Sequence, residues 1–357
     1  MTTAPPSGAW TLPGEALAYA AAVHDGQLRK GTTIPYLAHL LAVAALVVED
    51  GGSPAEIAAA LLHDAAEDRG GRARLADIEL RFGAEVAGIV AECSDTLETV
   101  KEPWRERKQR YLDHLEHASA AAVRVSLADK VANLRTIVDG FSALGERFWE
   151  RFDGDADPLW YYRSVLAVLR ERSASPLLGE LGALVAALEA DVKAAPHPLP
   201  DSYWVVPGRL LAGEYPGAPE AWRARRHLRR LAWCGIGDFI DLTTEGEYRL
   251  RPYAALLDDG ATHRRFPITD GTVPDASEME AILAAIDGRL AAGRTVYVHC
   301  FGGIGRTGTV IGCWLVRHGA PGERAIEQIA RWREGTPDEA IPSPETSEQR
   351  DFVLAWR

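Results

Sequence analysis

Two patterns of hydrophobic and polar positions divide the chain at a proline-rich segment. Before residue 193, alanine and leucine recur at the 3.6-residue spacing of amphipathic helices, and strand-like runs are few. After residue 201, short β-branched runs such as 239–243 and 295–298 alternate with helical patterns. The intervening segment 193–201 has alternating prolines, which cannot continue a helix and favour an extended spacer. We therefore predict two domains: an all-α helical bundle over 1–195, and an α/β domain with a central sheet flanked by helices over 196–357.

Composition and charge narrow the class of protein. Of the 357 residues, 47% are hydrophobic, which is enough to build two cores. No apolar run reaches the roughly 18 residues that a membrane span needs, and Met1–Trp10 lacks the regions of a signal peptide. Four scattered cysteines favour the reducing cytoplasm. A net charge of -12 argues against broad nucleic-acid binding, which needs a basic surface. We expect a cytoplasmic protein without membrane association.

One loop in the second half combines a thiol, four glycines and an arginine. It lies between a predicted buried strand over 294–298 and a predicted buried helix over 309–316. Such a loop binds anions, because its N–H groups converge at the positive end of the helix dipole. That field favours the reactive thiolate of Cys300, and Arg306 can hold two oxygens of a phosphate. The loop predicts a phosphate site with a nucleophile at its base.

A structural cysteine among turn-forming glycines is the alternative interpretation. Cys300 differs from the other three cysteines because an arginine follows it six positions later. His299–Thr307 also fits the His-Cys-x-x-Gly-x-x-Arg-Ser/Thr pattern, and the region from about Tyr203 to Trp356 resembles cysteine-based protein tyrosine and dual-specificity phosphatases. The sequence of the loop is most similar to that of kinase-associated dual-specificity phosphatases.

That resemblance implies a mechanism that needs no cofactor. The Cys300 thiolate would attack phosphorus, Arg306 would bind the phosphate, and the Thr307 hydroxyl would stabilise the departing thiolate. The remaining phosphate-binding positions of the loop would be His299, Phe301, Gly302, Gly303, Ile304 and Gly305.

An acid must also protonate the leaving oxygen. The segment 266–274 looks like the mobile acid loop of these phosphatases, which makes Asp270 the candidate. Asp275 is the alternative, but its position after Pro274 favours an N-cap for a helix that begins near Ala276. Gln349 is similar to the glutamine that orients water in some tyrosine phosphatases. The same letters also fit a helix capping box, so both interpretations of Gln349 stay open.

The helical half contains a second group of polar residues. Two histidines and several carboxylates occur on three predicted helices, and four of them are expected on neighbouring faces of a single helix. These residues are His39 on the first helix, His63, Asp64, Glu67 and Asp68 on the second, and Asp129 on the third. A mixed nitrogen and oxygen site suits a divalent metal that keeps positions open for water or substrate. A lone His–Asp pair is more often structural, so the interpretation depends on agreement between separate segments.

The order of those segments resembles the HD-type hydrolase domain of the RelA/SpoT alarmone enzymes and their small stand-alone relatives, over about 15–190. The resemblance implies that a metal, usually manganese, is bound by His39, His63, Asp64 and Asp129. It implies that Glu67 and Asp68 activate or position water. It also implies that Arg29, Lys30 and Asn133 contact phosphate or nucleotide.

Together the two halves predict a bifunctional phosphohydrolase. The second half would act on phosphotyrosine, phosphoserine or phosphothreonine in a protein, or on a small phosphomonoester, through a phosphocysteine. The first half would hydrolyse a phosphorylated nucleotide such as (p)ppGpp. The alternative is a phosphatase gated by an HD domain that senses a nucleotide without turning it over.

Overall fold

The computed structural model describes residues 10–98, 102–152 and 156–357. They belong to two compact units, one extending to Glu189 and the other beginning at Ala190. Apart from Trp10, the segment Met1–Trp10, which we expect not to be a signal peptide, lies outside the described residues. None of the described helices combines the length and the hydropathy required to cross a bilayer.

The described part of the N-terminal unit is helical, as the apolar spacing predicts. Its α-helices are α1 Thr11–Val23, α2 Leu37–Glu49, α3 Pro54–Leu62, α4 Ala65–Asp68, α5 Gly71–Cys93, α6 Trp104–Leu115, α7 Ala120–Leu144, α8 Pro158–Arg172 and α9 Leu177–Ala194. A 3-10 helix, Gly145–Arg151, follows α7. The boundary between the two units falls in the last turns of α9.

Helices α2, α3 and α7 form the part of the core that carries the polar cluster. Leu40 of α2, Ala59 of α3 and Leu127 of α7 are fully buried, and alanine allows the helix backbones to approach closely. Helix α3 begins at a capping box in which Ser53 and Glu56 bond each other's backbone N–H groups. A cap of this kind stabilises a helix by about 1 kcal/mol. The core therefore fixes the ends of the helices that carry the polar side chains.

The prediction that His63, Asp64, Glu67 and Asp68 share one helix is wrong. Helix α3 ends at Leu62, and a separate one-turn helix, α4, begins at Ala65. The break has a local cause, because the His63 ring bonds the Ala60 carbonyl at 2.7 Å and Asp64 turns towards the hydroxyl of Tyr36. His63 and Asp64 keep right-handed helical dihedrals, so the interruption is slight.

The C-terminal unit is an α/β domain, and the two-domain fold class is confirmed. Its strands are β1 Ser202–Val206, β2 Leu210–Gly213, β3 Asp238–Asp241, β4 Thr262–Arg265 and β5 Val296–His299. Its α-helices are α10 Ala221–Trp233, α11 Ala276–Ala291, α12 Gly305–Arg317, α13 Gly322–Trp332 and α14 Ser347–Ala355. The strands lie in the order β1-β2-β5-β3-β4, and only the β1–β2 pair is antiparallel.

The register of the sheet places three strand ends at one edge. His299 at the end of β5 pairs with Gly213 of β2 and with Asp241 of β3. Val296 and Val298 point into the hydrophobic core, where Ile311 of α12 packs, because side chains alternate along a strand. The carboxyl ends of parallel strands are where α/β folds bind ligands. The predicted cysteine loop follows β5 at this edge.

The starts of two helices can be compared with the sequence prediction. Helix α12 begins at Gly305, four residues before the predicted start, so Arg306 lies in its first turn. The loop is thus shorter and tighter than its glycine content suggests. Asp275 caps α11 with Glu278 in a capping box, as its position after Pro274 predicts.

Candidate active sites

The predicted metal ligands of the N-terminal unit lie together. The Nε2 atom of His39 is 3.2 Å from Asp129 Oδ1 and 3.5 Å from Asp64 Oδ2. His63 Nε2 is 3.0 Å from Asp64 Oδ2 and 3.6 Å from Asp129 Oδ1. The ligand atoms of His39, His63 and Asp129 all lie within 4.8 Å of one another, and these three residues are buried. Side chains from α2, the α3–α4 break and α7 therefore converge on one point.

Hydrogen bonds around this point fix the direction of each ligand. The Ala60 carbonyl takes the Nδ1–H of His63, which turns Nε2 towards the two carboxylates. Tyr36 donates its hydroxyl to Asp64 Oδ2 at 2.6 Å. On the other side, Asp129 accepts from Lys130 at 2.6 Å and from Asn133 at 2.6 Å. The cluster is oriented before any ligand arrives.

The electrostatics of the cluster favour a positive charge at its centre. Burial disfavours charge on His63 and Asp64, but their mutual attraction outweighs it. The pKa of His63 therefore lies well above its ordinary value, and the pKa of Asp64 lies well below its own. Among the described residues, the buried Nε2 of His63 has no partner with good hydrogen-bond geometry. Two imidazoles and two carboxylates with such an unsatisfied nitrogen fit a divalent cation.

A cavity of about 410 Å³ opens beside this cluster. Glu67 and Asp68 of α4 line this cavity. The N–H of Asp95 bonds Glu67 at 3.0 Å, and the Gln27 amide bonds Asp68 at 2.8 Å. Arg29, which donates to Asn133 at 3.0 Å, also lines the cavity. The structure thus brings together every residue predicted for this site, including Lys30, Asp64 and Asp129 on the cavity wall.

The cavity also contains side chains for which the sequence predicted no role in the site. They are cations from α6 and α7 and aromatic rings from α6, α8 and the 3-10 helix: Trp104, Arg107, Lys108, Lys130, Phe148, Tyr161 and Tyr162. Arg107 and Lys108 both bond Asp95, and Arg107 lies 3.8 Å from Glu67. Alternating charges on a helix usually mark a solvated face, so the sequence of α6 carried no clear signal for them.

In the C-terminal unit, the cysteine loop lies between β5 and α12 as predicted. Cys300 is 2% exposed, and Gly303 has a φ of 73°. A Cβ on Gly303 would lie 2.4 Å from the carbonyl carbon of Gly213, so a side chain cannot fit there. The first N–H groups of an α-helix have no partner within the helix, and α12 has no side-chain N-cap to bond them. The loop presents these donors at the base of the site.

The Arg306 side chain, 1% exposed, is held in this loop by two acidic residues. Both carboxylate oxygens of Glu247 accept hydrogen bonds from the guanidinium, Oε2 at 2.7 Å from Nη1 and Oε1 at 2.5 Å from Nη2. Asp270 Oδ1 lies 2.9 Å from Nη2, and the Ile268 carbonyl lies 3.0 Å from Nη1. The remaining donor, Nε, is buried and has no hydrogen-bond partner among the described residues. An oxyanion that binds beside Cys300 would satisfy it.

Tyr248 contacts both Asp270 and Phe301 at the phosphatase site. Tyr248 donates its hydroxyl to Asp270 Oδ2 at 2.6 Å, and its ring centroid is 4.9 Å from that of Phe301. Burial opposes the charge on Glu247, but the hydrogen bond from Arg306 outweighs it and lowers the pKa of that carboxyl. Sequence reasoning found Asp270 and missed Glu247 and Tyr248, which lie in a turn after β3.

Three other predicted residues are buried and make hydrogen bonds near the loop. His299 is fully buried, burial lowers its pKa to about 4, and its neutral ring accepts from the Tyr253 hydroxyl at 2.6 Å. Thr307 is also buried and lies 3.4 Å from the Gly213 carbonyl. Gln349 completes a capping box on α14 and donates to the Thr272 carbonyl at 3.2 Å. The proposed part of Gln349 in orienting water stays a prediction.

Comparison with known proteins agrees with these two sites. Residues 16–144 match the HD domain family, and residues 200–346 match the DSP-PTPase phosphatase domain of the Swiss Army Knife proteins. Guanosine-3′,5′-bis(diphosphate) 3′-pyrophosphohydrolase MESH1 of Xenopus tropicalis is 41% identical over 126 residues, which is 34% of this chain and 68% of that protein. MESH1 of Danio rerio is 34% identical over 167 residues, 44% of this chain and 88% of that protein.

The chain belongs to the MESH1 family. This membership rests on the N-terminal unit, called the HD unit from here on. The C-terminal unit, called the phosphatase unit, is similar to the solved structure of kinase associated phosphatase with serine in place of its catalytic-site cysteine. That structure is 25% identical, covers 40% of this chain and 83% of its own, and has a TM-score of 0.36. The prediction of a hydrolase that joins an HD domain to a DSP-type phosphatase domain is confirmed.

The Glu214 carboxyl, next to the phosphatase loop, makes stability depend on pH. Burial raises its pKa to about 7 from 4.5, although the N–H of Asp201 bonds it at 3.1 Å. Because the folded pKa is the higher one, stability is lost as pH rises from about 4.5 to about 7. Glu214→Gln keeps the acceptor and removes the charge. We expect it to stabilise the protein at pH 8 by about 3 kcal/mol, and hardly at all at pH 4.

Thermal unfolding of the full chain at several pH values measures this effect. Glu334→Gln, which changes an exposed glutamate in the same unit, serves as the control and should leave the transition unchanged at both pH values. An equal shift for Glu214→Gln at pH 4 and pH 8 would contradict the assignment of the titration to this carboxyl.

Proposed function

We propose that the phosphatase unit hydrolyses phosphomonoesters through a phosphocysteine at Cys300. The observation that carries this proposal is the buried Arg306 Nε, without a partner among the described residues, in a glycine loop at the N-terminus of α12. A tetrahedral oxyanion fits those donors, and the nucleophile is part of the same loop. The substrate class is a phosphorylated protein side chain or a small phosphomonoester.

The steps follow from the positions of the side chains. The sulfur of Cys300 attacks phosphorus while Arg306 and the loop N–H groups hold the equatorial oxygens. Asp270, at the mouth of the site, gives its proton to the leaving oxygen as the P–O bond breaks. Water then cleaves the S–P bond, and Asp270 takes a proton from that water. The Thr307 hydroxyl assists the departure of the thiolate in this scheme, and Gln349 orients the water.

We infer that the HD unit hydrolyses a phosphorylated nucleotide and that its metal is manganese. The relatives are named for a 3′-pyrophosphohydrolase acting on guanosine-3′,5′-bis(diphosphate), and that compound is the substrate that we propose to test first. His39, His63, Asp64 and Asp129 would hold the metal, which would supply Lewis-acid polarisation of a phosphate oxygen. The functional units that we propose are 1–195 and 196–357, in the cytoplasm, where Cys300 stays reduced.

The side chains of the HD cavity have three roles. Glu67 and Asp68 hold the attacking water and accept its proton, because they are carboxylates on the cavity wall beside the metal ligands. Arg29, Lys30 and Asn133 bind the phosphates. Aromatic rings on the same wall, such as Trp104 and Tyr161, give a nucleobase a surface to pack on.

One experiment tests both proposals on the full chain. A chelated sample and a manganese-loaded sample are each given para-nitrophenyl phosphate and guanosine-3′,5′-bis(diphosphate). We expect turnover of the aryl phosphate in both samples, with inhibition by vanadate, and release of pyrophosphate from the nucleotide only with manganese. Loss of aryl phosphate turnover on chelation would contradict the cysteine mechanism. Nucleotide binding without turnover, together with a changed phosphatase rate, would favour the alternative of a sensing HD unit.

A further inference from the structure

A strained turn borders the phosphatase site, where it contacts Arg306, Asp270 and Phe301. Tyr248 and Arg249 have φ values of 46° and 56°, a region that residues other than glycine rarely adopt. Two such residues in succession cost energy that the surroundings must offset, and outliers of this kind cluster at functional sites. Glu247 anchors the turn, since its carboxylate binds both Arg306 and the N–H of Thr244.

Core packing does not explain why Tyr248 occupies this turn. Its side chain is 60% exposed, and its ring contacts Phe301, which is itself 47% exposed. The directed contact of Tyr248 is its hydroxyl, which donates to Asp270 Oδ2 at 2.6 Å. The other oxygen of that carboxylate, Oδ1, lies 2.9 Å from Arg306 Nη2. The Asp270 carboxyl is therefore held at both oxygens, by different partners.

When a phosphate binds, only Tyr248 remains available to hold the Asp270 carboxyl. A phosphate that binds Arg306 through Nε and the neighbouring Nη2 competes with Asp270 Oδ1 for Nη2, because both oxygens accept from the same donor. Tyr248 bonds Oδ2 of Asp270 and not Arg306, so it does not take part in that competition. Its hydrogen bond to Oδ2 then fixes the rotation of the carboxyl and leaves Oδ1, facing the phosphate, to carry the proton.

We propose that Tyr248 is a positioning residue that holds the general acid Asp270 over the leaving oxygen during phosphoryl transfer. This inference rests on the phosphatase function proposed above. The proton passes from Asp270 Oδ1 to the leaving oxygen while the P–O bond breaks and the S–P bond forms, and the phenol of Tyr248 keeps its own proton throughout. The benefit of a positioned acid grows as the leaving group becomes a worse one.

The test compares Tyr248→Phe with the unchanged full chain on esters of increasing leaving-group pKa, from para-nitrophenyl phosphate to an alkyl phosphate. Phenylalanine keeps the ring against Phe301 and removes only the hydroxyl. We expect kcat/KM to fall less than about 3-fold on the nitrophenyl ester and about 10- to 100-fold on the alkyl ester. With Asp270→Asn already in place, adding Tyr248→Phe should cause no further loss.

Controls separate this inference from the proposed function. Tyr19→Phe also removes a hydroxyl that bonds an aspartate, Asp77, but in the HD unit, and should change no phosphatase rate. An equal loss on every ester, or a further loss in the Asp270→Asn background, would overturn the positioning role of Tyr248. If Cys300→Ser still turned over the nitrophenyl ester, the phosphocysteine function itself would fail, whatever Tyr248 does.

Discussion

Replacing Cys300 by serine should lower the turnover of an aryl phosphate by at least about 10⁴-fold. A serine hydroxyl is a far weaker nucleophile at neutral pH than the thiolate that it replaces. Phosphate or vanadate should still bind, because Arg306 and the N-terminus of α12 are unchanged. Steady-state kinetics and a binding titration on the same sample measure the two quantities.

Cys234→Ser is a matched control for this substitution. Cys234 is buried in the same unit, and its thiol lies 3.4 Å from the carbonyl of Val192, which a serine hydroxyl can also reach. We expect full phosphatase activity in that variant. Turnover by Cys300→Ser within 10-fold of the unchanged protein, or equal losses in both variants, would contradict a phosphocysteine mechanism.

The phosphatase loop could be predicted from the sequence because its chemistry is local. Cys300, Arg306 and the glycines lie within one strand–loop–helix unit, and the spacing alone places the donors around an anion. Glu247 and Tyr248 could not be predicted in the same way. They lie more than 50 residues before Arg306, and only the parallel pairing of β3 with β5 brings the two segments to one edge of the sheet.

At the HD site, too, the sequence predicts some features and not others. His39, His63 and Asp129 were identified from separate segments, and the packing of three helices brings them together. The break between α3 and α4 could not be predicted, because the helical spacing continues through His63 and the interruption comes from bonds to Ala60 and Tyr36. The bond to Ala60 is local, whereas the bond to Tyr36 comes from another segment, which the helical spacing does not reveal.

Metal binding at the HD site should depend strongly on Asp64. Its Oδ2 lies 3.0 and 3.5 Å from the two imidazole nitrogens, so Asp64→Asn removes a negative charge next to both histidines with little change of shape. Changing an outer partner of a metal ligand typically costs about 10- to 100-fold in affinity or activity, and a direct ligand should exceed that. We expect at least about a 100-fold loss of manganese-dependent nucleotide hydrolysis, with a weaker manganese affinity measured by calorimetry.

Phosphatase turnover provides the internal reference for this variant, because Asp64→Asn should leave it unchanged in the same preparation. Asp113→Asn, an exposed aspartate of α6 that bonds Gln109, should change neither activity. If Asp64→Asn bound manganese and hydrolysed the nucleotide normally, the ligand set would reduce to His39, His63 and Asp129, whose ligand atoms already lie within 4.8 Å of one another. Replacement of His39, His63 or Asp129 should then cause the loss that Asp64→Asn does not.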